Sequence, residues 1–366
     1  MPGPLSLLFA ARDVNAARNL ALVAALAGRA HGHTVRLAAQ RPALAIFQQA
    51  FPEVLAVDDG LDAARTAAAT WLGQTSPDAV IVGASGPEPG LDEALLAARP
   101  ETVPGFVFQD FWGDVNPGYQ PRGETFLVPD ACAARMTAAR VQAPCAVVGW
   151  PKYDAYAALD PPALRQAARA ALGLGERRLA GFFGQPLDGL PGYPASAAAA
   201  ARATAAAWPE AAFLHRPHPR ETPGQARDVR AALAASGRPV LNGPELSAEA
   251  ALCACDLILT PFSSCGLDAL HLSRVSPVPL GAVLYLGLEK DVVAHFRAYT
   301  GLDALPPAAA GLALAAASEK EACRLIAGLD AGALRDLWQA ARDVLGRPEG
   351  AARKTLDAIM ARCAVR

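Results

Sequence analysis

Short, uninterrupted apolar runs alternate along this chain with longer stretches whose apolar residues recur at helical spacing. The runs at 5–10, 34–39, 54–57, 79–82, 105–108, 125–128 and 146–148 predict strands in the first half. Those at 179–183, 212–216, 239–241, 257–259 and 278–285 predict a second set. Amphipathic stretches fall between most of them. The one at 16–31 is followed by Gly32, a residue suited to the left-handed position that closes a helix. Strand, crossover helix, strand is the arrangement of parallel βαβ units, because parallel neighbours cannot be joined by a tight hairpin. The rhythm breaks at 149–162, where proline and polar residues interrupt it, and after Pro306 and Pro307 the chain reads as helical to its end. The expected fold is α/β, with two Rossmann-like, doubly wound parallel-sheet domains facing a cleft.

A length of 366 residues is ample for two cores. Hydrophobic residues make up 52% and charged residues 19%, the balance of a packed globular chain rather than a disordered one. The net charge of −2 is spread along the sequence, which excludes the concentrated basic face a nucleic-acid partner needs. The alanine-rich stretch at 195–207 reflects helix propensity. The N-terminus lacks the basic start and long apolar core of a signal peptide, and no apolar run approaches the ~20 residues that span a bilayer. Seven cysteines show neither CxxC spacing nor a paired framework, so they read as small buried hydrophobes in a reducing cytoplasm. The six histidines show no metal-ligand spacing, and no metal or cofactor is expected.

The richest stretch for chemistry is CDLILTPFSSCGLDALHLSRVSPVPLGAVLY, from Cys255 to Tyr285. A buried strand turns into a helix opened by Ser263 or Ser264 as N-cap, with Asp268 one turn further on. The first backbone N–H groups of a helix have no partner inside it, so a strand leading into one makes an anion site. Phosphate oxygens could take those donors while Asp268 accepts hydrogen bonds from sugar hydroxyls. Two other strand ends point to the same chemistry. In His215-Arg216-Pro217-His218-Pro219-Arg220 the prolines fix the backbone and aim His218, and Arg216 and His218 offer donors to phosphate. In Phe182-Phe183-Gly184-Gln185-Pro186, Gly184 permits close backbone approach and Gln185 could position a phosphate or a base.

The first half offers candidates for proton transfer. Gln109-Asp110-Phe111-Trp112-Gly113-Asp114 follows a buried strand. A carboxylate beside two aromatics is desolvated, which raises its pKa and suits it to general-base work. Asp110 is the first choice and Asp114 the second; Trp112 could stack on a sugar, although filling the core is the commoner use of such a ring. The loop Arg12-Asp13-Val14-Asn15 follows the first strand, and position alone makes Asp13 a further catalytic candidate and Arg12 and Asn15 acceptor-side candidates. An Asp or Asn there serves equally well as a helix cap. The absence of GxGxxG argues against an NAD site.

With those residues assembled, the chain resembles GT-B glycosyltransferases, closest to capsule-polysaccharide transferases, CDP-glycerol glycerophosphotransferases and UDP-GlcNAc 2-epimerases. The residues that carry the resemblance are Leu20 to Ala39, Arg216-Pro217-His218-Pro219, and Ser263-Ser264-Cys265-Gly266-Leu267-Asp268-Ala269. The second is similar to the Lys-Pro-His-Pro loop of the capsule and teichoic-acid enzymes, with Arg216 in place of the lysine. The resemblance implies that His218, Arg216, Ser263 and Ser264, with Gly266 beside them, contact the donor's phosphates, and that Asp268 contacts the ribose. It also implies three segments: an acceptor-side domain over 1–155, a donor-binding domain over 156–332, and C-terminal helices over 333–366 that pack back on the first domain.

The leading expectation is a metal-independent glycosyltransferase in cell-surface glycan synthesis. It would move a sugar from a CMP/CDP- or UDP-linked donor to a glycan, lipid-linked or protein acceptor, in the cytoplasm or at the membrane surface. The alternatives are a hydrolysing UDP-GlcNAc 2-epimerase-like enzyme, and a non-catalytic protein that binds nucleotide sugars.

Overall fold

The computed structural model describes residues 3–84, 88–116, 119–243, 245–345 and 349–364. It divides into two compact units, Met1–Ala155 with Pro348–Arg366, and Tyr156–Arg347. In the first, β1 (Ser6–Ala11), β2 (Thr34–Ala39), β3 (Leu55–Ala56), β4 (Ala79–Gly83), β5 (Gly105–Phe108), β6 (Thr125–Val128) and β7 (Cys145–Val147) form one sheet in the order β3-β2-β1-β4-β5-β6-β7. In the second, β8 (Leu179–Phe183), β9 (Ala212–Arg216), β10 (Val240–Asn242), β11 (Leu257–Thr260), β12 (Ala282–Leu286) and β13 (Leu314–Ala316) follow the order β10-β9-β8-β11-β12-β13. Every pairing is parallel. Both units are doubly wound α/β sheets.

The central strands are apolar throughout because helices cover both faces; Leu7 to Ala11 of β1 are completely buried. In the first unit Leu7, Phe9, Phe47, Phe106 and Phe108 share a core with Leu356 and Ile359 of the returning helix Ala351–Cys363. That helix is held at its start by Asp154, whose carboxylate accepts the N–H groups of Ala351 (2.9 Å) and Ala352 (2.8 Å). In the second unit Phe182, Tyr193, Phe213, Leu259 and Leu284 form a separate core.

Three features depart from the pattern read along the chain. The helix Ala331–Val344, expected to leave with the tail, stays in the second unit. Its Trp338 indole donates to the Ser276 carbonyl (3.1 Å), while Leu334 and Leu337 pack on the second core. Strand β13 lies where helix is expected, since the alanines around Leu314 favour helix locally and only its pairing with β12 makes it a strand. Strand β12 begins at Ala282 rather than at 278; Pro277 and Pro279 cannot donate to a ladder, and Val278 is exposed.

Candidate functional site

In the second sheet the chain reverses its direction of winding between β8 and β11, and ligands bind doubly wound sheets outside the carboxyl ends of the strands at such a point. Gly184 and Gln185 follow β8, Phe262 to Ser264 follow β11, and His218 follows the adjacent β9. The three loops are bonded to one another. Gly184 donates to the Arg216 carbonyl (2.9 Å). Gln185, nearly buried, accepts the Phe262 N–H on its side-chain oxygen (2.9 Å), and its own N–H donates to the Tyr193 hydroxyl (2.7 Å). A Cβ at position 184 would lie 3.0 Å from the His218 nitrogen and 3.2 Å from the Pro217 Cα, so only glycine allows the first two loops to close up.

His218 is oriented by its neighbours. Its backbone N–H donates to Glu221 Oε2 (2.9 Å), and its Nδ1 accepts the Arg220 N–H (3.1 Å). A neutral imidazole that accepts at Nδ1 carries its proton on Nε2, the donor that a phosphate oxygen needs. One arm of Arg216 donates to the Leu246 carbonyl (2.8 Å), so this guanidinium also braces the loop after β10.

The helix Cys265–Val275 opens differently from the simplest reading. The Ser263 hydroxyl accepts the Cys265 N–H (3.2 Å) and the Ser263 carbonyl accepts the Gly266 N–H (3.1 Å). Ser264 holds the N-cap position without making a side-chain cap bond, and it is partly exposed. Two of the first amides are thus already engaged, and the helix presents chiefly its positive end and the Ser264 side chain. Gly266 lets the helix press against β12, because a Cβ there would lie 2.4 Å from the Tyr285 hydroxyl. Asp268, 8% exposed, lies beside the same tyrosine, and burial followed by the Asp268 charge pushes the Tyr285 phenol up.

Glu221 is the residue of this loop cluster that the sequence reading passed over. Burial pushes its carboxyl from 4.5 to about 7, opposed by the His218 N–H and reinforced by Asp188. A carboxyl raised by folding stabilises the fold fully below its unfolded pKa and loses that contribution as pH rises through the folded value. Between about pH 4.5 and 7 the wild type should therefore lose thermal stability. Glu221→Gln should flatten that slope and melt higher than wild type at pH 8, as differential scanning calorimetry would show.

In the first unit the loops after β1 and β5 gather a set of carboxylates. Asp110 is partly buried; burial first, then Asp13 and Asp114, raise its pKa well above the carboxylate range, against Lys152. The Trp150 indole donates to the Asp110 carbonyl (2.9 Å), and Gln109, fully buried, donates to the Asp114 carbonyl (2.9 Å). Asp13 caps the helix Val14–His31 by accepting the Asn15 N–H (2.8 Å). Arg12, an acceptor-side candidate by position, is bound to Asp92 (2.6 Å) and to the Glu88 carbonyl (2.7 Å). Trp112 is 3% exposed, donates its indole N–H to Asp130 (2.8 Å) and meets Trp150 edge to face, so its ring belongs to the core. Next to this cluster a small, half-open hollow is lined by Asp92, Glu93, Asp114, Asn116 and Tyr119 among others.

No protein-family model matches the sequence. No curated protein matches it either. Solved structures do resemble its fold. The UDP-GlcNAc 2-epimerase from Neisseria meningitidis bound to UDP-GlcNAc superposes with a TM-score of 0.62 at 12% identity, over 97% of this chain and 99% of that one. The calicheamicin glycosyltransferase CalG4 gives 0.59 at 14%, over 99% of each chain. The wall teichoic acid polymerase TagF gives 0.58 at 11%, over 99% of this chain and 90% of that one. The chain has the GT-B fold that these glycosyltransferases and epimerases share. Among the described residues no helix is long and apolar enough to cross a membrane.

Proposed function

We propose that this protein is an enzyme acting on nucleotide-activated sugars, and that it transfers the sugar to an acceptor in the synthesis of a surface glycan or glycoconjugate. The observation that carries this reading is the bonded cluster of loops after β8, β9 and β11 at the switch point of the second sheet. There His218 offers Nε2–H, Arg216 its remaining guanidinium donors, and the helix Cys265–Val275 its positive end with Ser264. Together they supply the positive charge that a diphosphate leaving group needs, which is why we assign a metal-independent reaction. Asp110, its pKa raised beside Asp13 and Asp114, takes the acceptor's proton. The donor's base is cytosine or uracil: the Arg-Pro-His-Pro loop favours the first, and the UDP-sugar in the Neisseria epimerase favours the second.

A hydrolysing 2-epimerase is the second reading, favoured by the gathering of Asp13, Asp110 and Asp114 around one position. Eliminating the nucleotide from C1 with the proton of C2, and then adding water across the double bond with the new proton delivered from the opposite face, calls for more than one proton-transfer group.

Calorimetric titration with CMP, CDP, UDP and GDP tests the shared premise. Micromolar binding of a pyrimidine diphosphate is expected, and folded protein that binds none of the four defeats the reading. Incubation with UDP-GlcNAc alone separates the two reactions, since an epimerised sugar released without acceptor belongs to the second.

A further inference from the structure

We propose that the Glu221 carboxyl couples nucleotide binding to pH in the second unit, admitting a phosphate group beside His218 when protonated and opposing it when ionised. The inference rests on the reading of His218 and its neighbours as a phosphate site. Glu221 lies between β9 and the helix Pro223–Ala234, on the same turn as His218.

Its side chain folds back into the loop cluster. Oε2 accepts the His218 backbone N–H (2.9 Å), and the Glu221 N–H donates to the His218 carbonyl (2.9 Å), so the turn is closed from both ends. Oε2 also lies against Gly184, after β8, where a Cβ would collide with it. The carboxyl thus fills the space that glycine leaves between the first two loops of the candidate site. Oε1 is buried and has no hydrogen-bond partner. With Oε2 engaged as an acceptor, the neutral form carries its proton on Oε1. The ionised form leaves that oxygen with neither water nor a donor.

The groups around this carboxyl act in the same direction. Asp188, from the loop after β8, adds a like charge, and the Thr222 hydroxyl donates to it. Tyr193, in the helix Gly192–Ala207, is a neutral phenol whose pKa is raised by burial and then by Glu221. On the turn itself stand His218 and Arg220, and the Arg220 N–H donates to His218 Nδ1. Burial, opposed by the His218 N–H and helped by Asp188, favours the neutral carboxyl. His218 holds Glu221 by its backbone and is assigned a phosphate at its ring, so a single residue separates the two anions. In a half-buried loop, water screens such a pair weakly. A bound phosphate therefore raises the Glu221 pKa further, and binding takes up a proton wherever the carboxyl is ionised.

Calorimetric titration with UDP and CDP between pH 6 and 8.5, on wild type and Glu221→Gln, tests this. Glutamine keeps an oxygen for the His218 N–H, and the melting temperature checks folding. Ionisation of the nucleotide's phosphate and of His218 is common to both proteins and cancels in the comparison. At pH 8 wild type should bind about tenfold more weakly than Glu221→Gln, because affinity falls by up to about tenfold per pH unit above a pKa of about 7. At pH 6 the two should agree. Repeating the pH 8 titration in buffers of different ionisation enthalpy should show wild type taking up a proton that the variant does not. Parallel pH profiles with equal proton uptake overturn the proposal and leave the nucleotide site standing. Failure of both folded proteins to bind either nucleotide at any pH removes the site itself, and the proposal with it.

Discussion

Asp110→Asn should lower turnover by about a hundred- to ten-thousandfold, the range that a positioned general base contributes, while nucleotide affinity stays at the wild-type value. Asparagine matches aspartate in shape, and the Trp150 bond to the residue 110 carbonyl does not depend on the side chain. The proton acceptor is lost and its frame is kept. The fold should not suffer, because folding already works against the ionised form of this carboxylate. Affinity should hold because the nucleotide is assigned to the loops after β8, β9 and β11 in the second unit. Steady-state kinetics beside a calorimetric titration separates the two effects. A variant that keeps its turnover places the base elsewhere, with Asp114 next in order.

The second large effect concerns stability and lies at the amino end of the first sheet. Arg99 and Glu124 form a buried ion pair at 2.5 Å, their side chains 3% and 1% exposed. Arg99 also donates to the carbonyls of Val103 (3.0 Å) and Arg122 (2.7 Å). The pair ties the turn before β5 to the turn before β6, where Gly105 makes room for the guanidinium. Glu124→Ala should reduce the unfolding free energy by about 3–5 kcal/mol, because it strands a charge that has no water around it. Replacing both partners by apolar residues of similar volume should recover most of the loss, since the penalty of burying two charges disappears with them. Urea denaturation of the single and double variants decides this; a single variant as stable as wild type would show that the pair contributes nothing.

The strands were legible along the chain because central parallel strands are apolar on both faces, which writes them as continuous runs. Strand β13 was not, since its three residues are typical of the alanine-rich helices around it. At the candidate site the loops that follow strands could be read directly: Gly184, Arg216, His218 and Ser264 stand at strand ends in the sequence itself. What those residues do there depends on distant partners. Arg12 looks like a cation awaiting a ligand until Asp92, eighty positions away, is seen against it. The Ser263 hydroxyl binds an amide of its own turn. Glu221 stood one residue beyond the Arg-Pro-His-Pro-Arg motif, and an acid that close to an expected phosphate site is the clue that would have singled it out.

The nucleotide assignment is tested most directly by the crystal structure of the protein with UDP or CDP bound. We expect the diphosphate outside the carboxyl ends of β8 and β11, with an oxygen within hydrogen-bond distance of His218 Nε2 and another at Ser264. A nucleotide bound elsewhere, with neither residue touching a phosphate, contradicts the account.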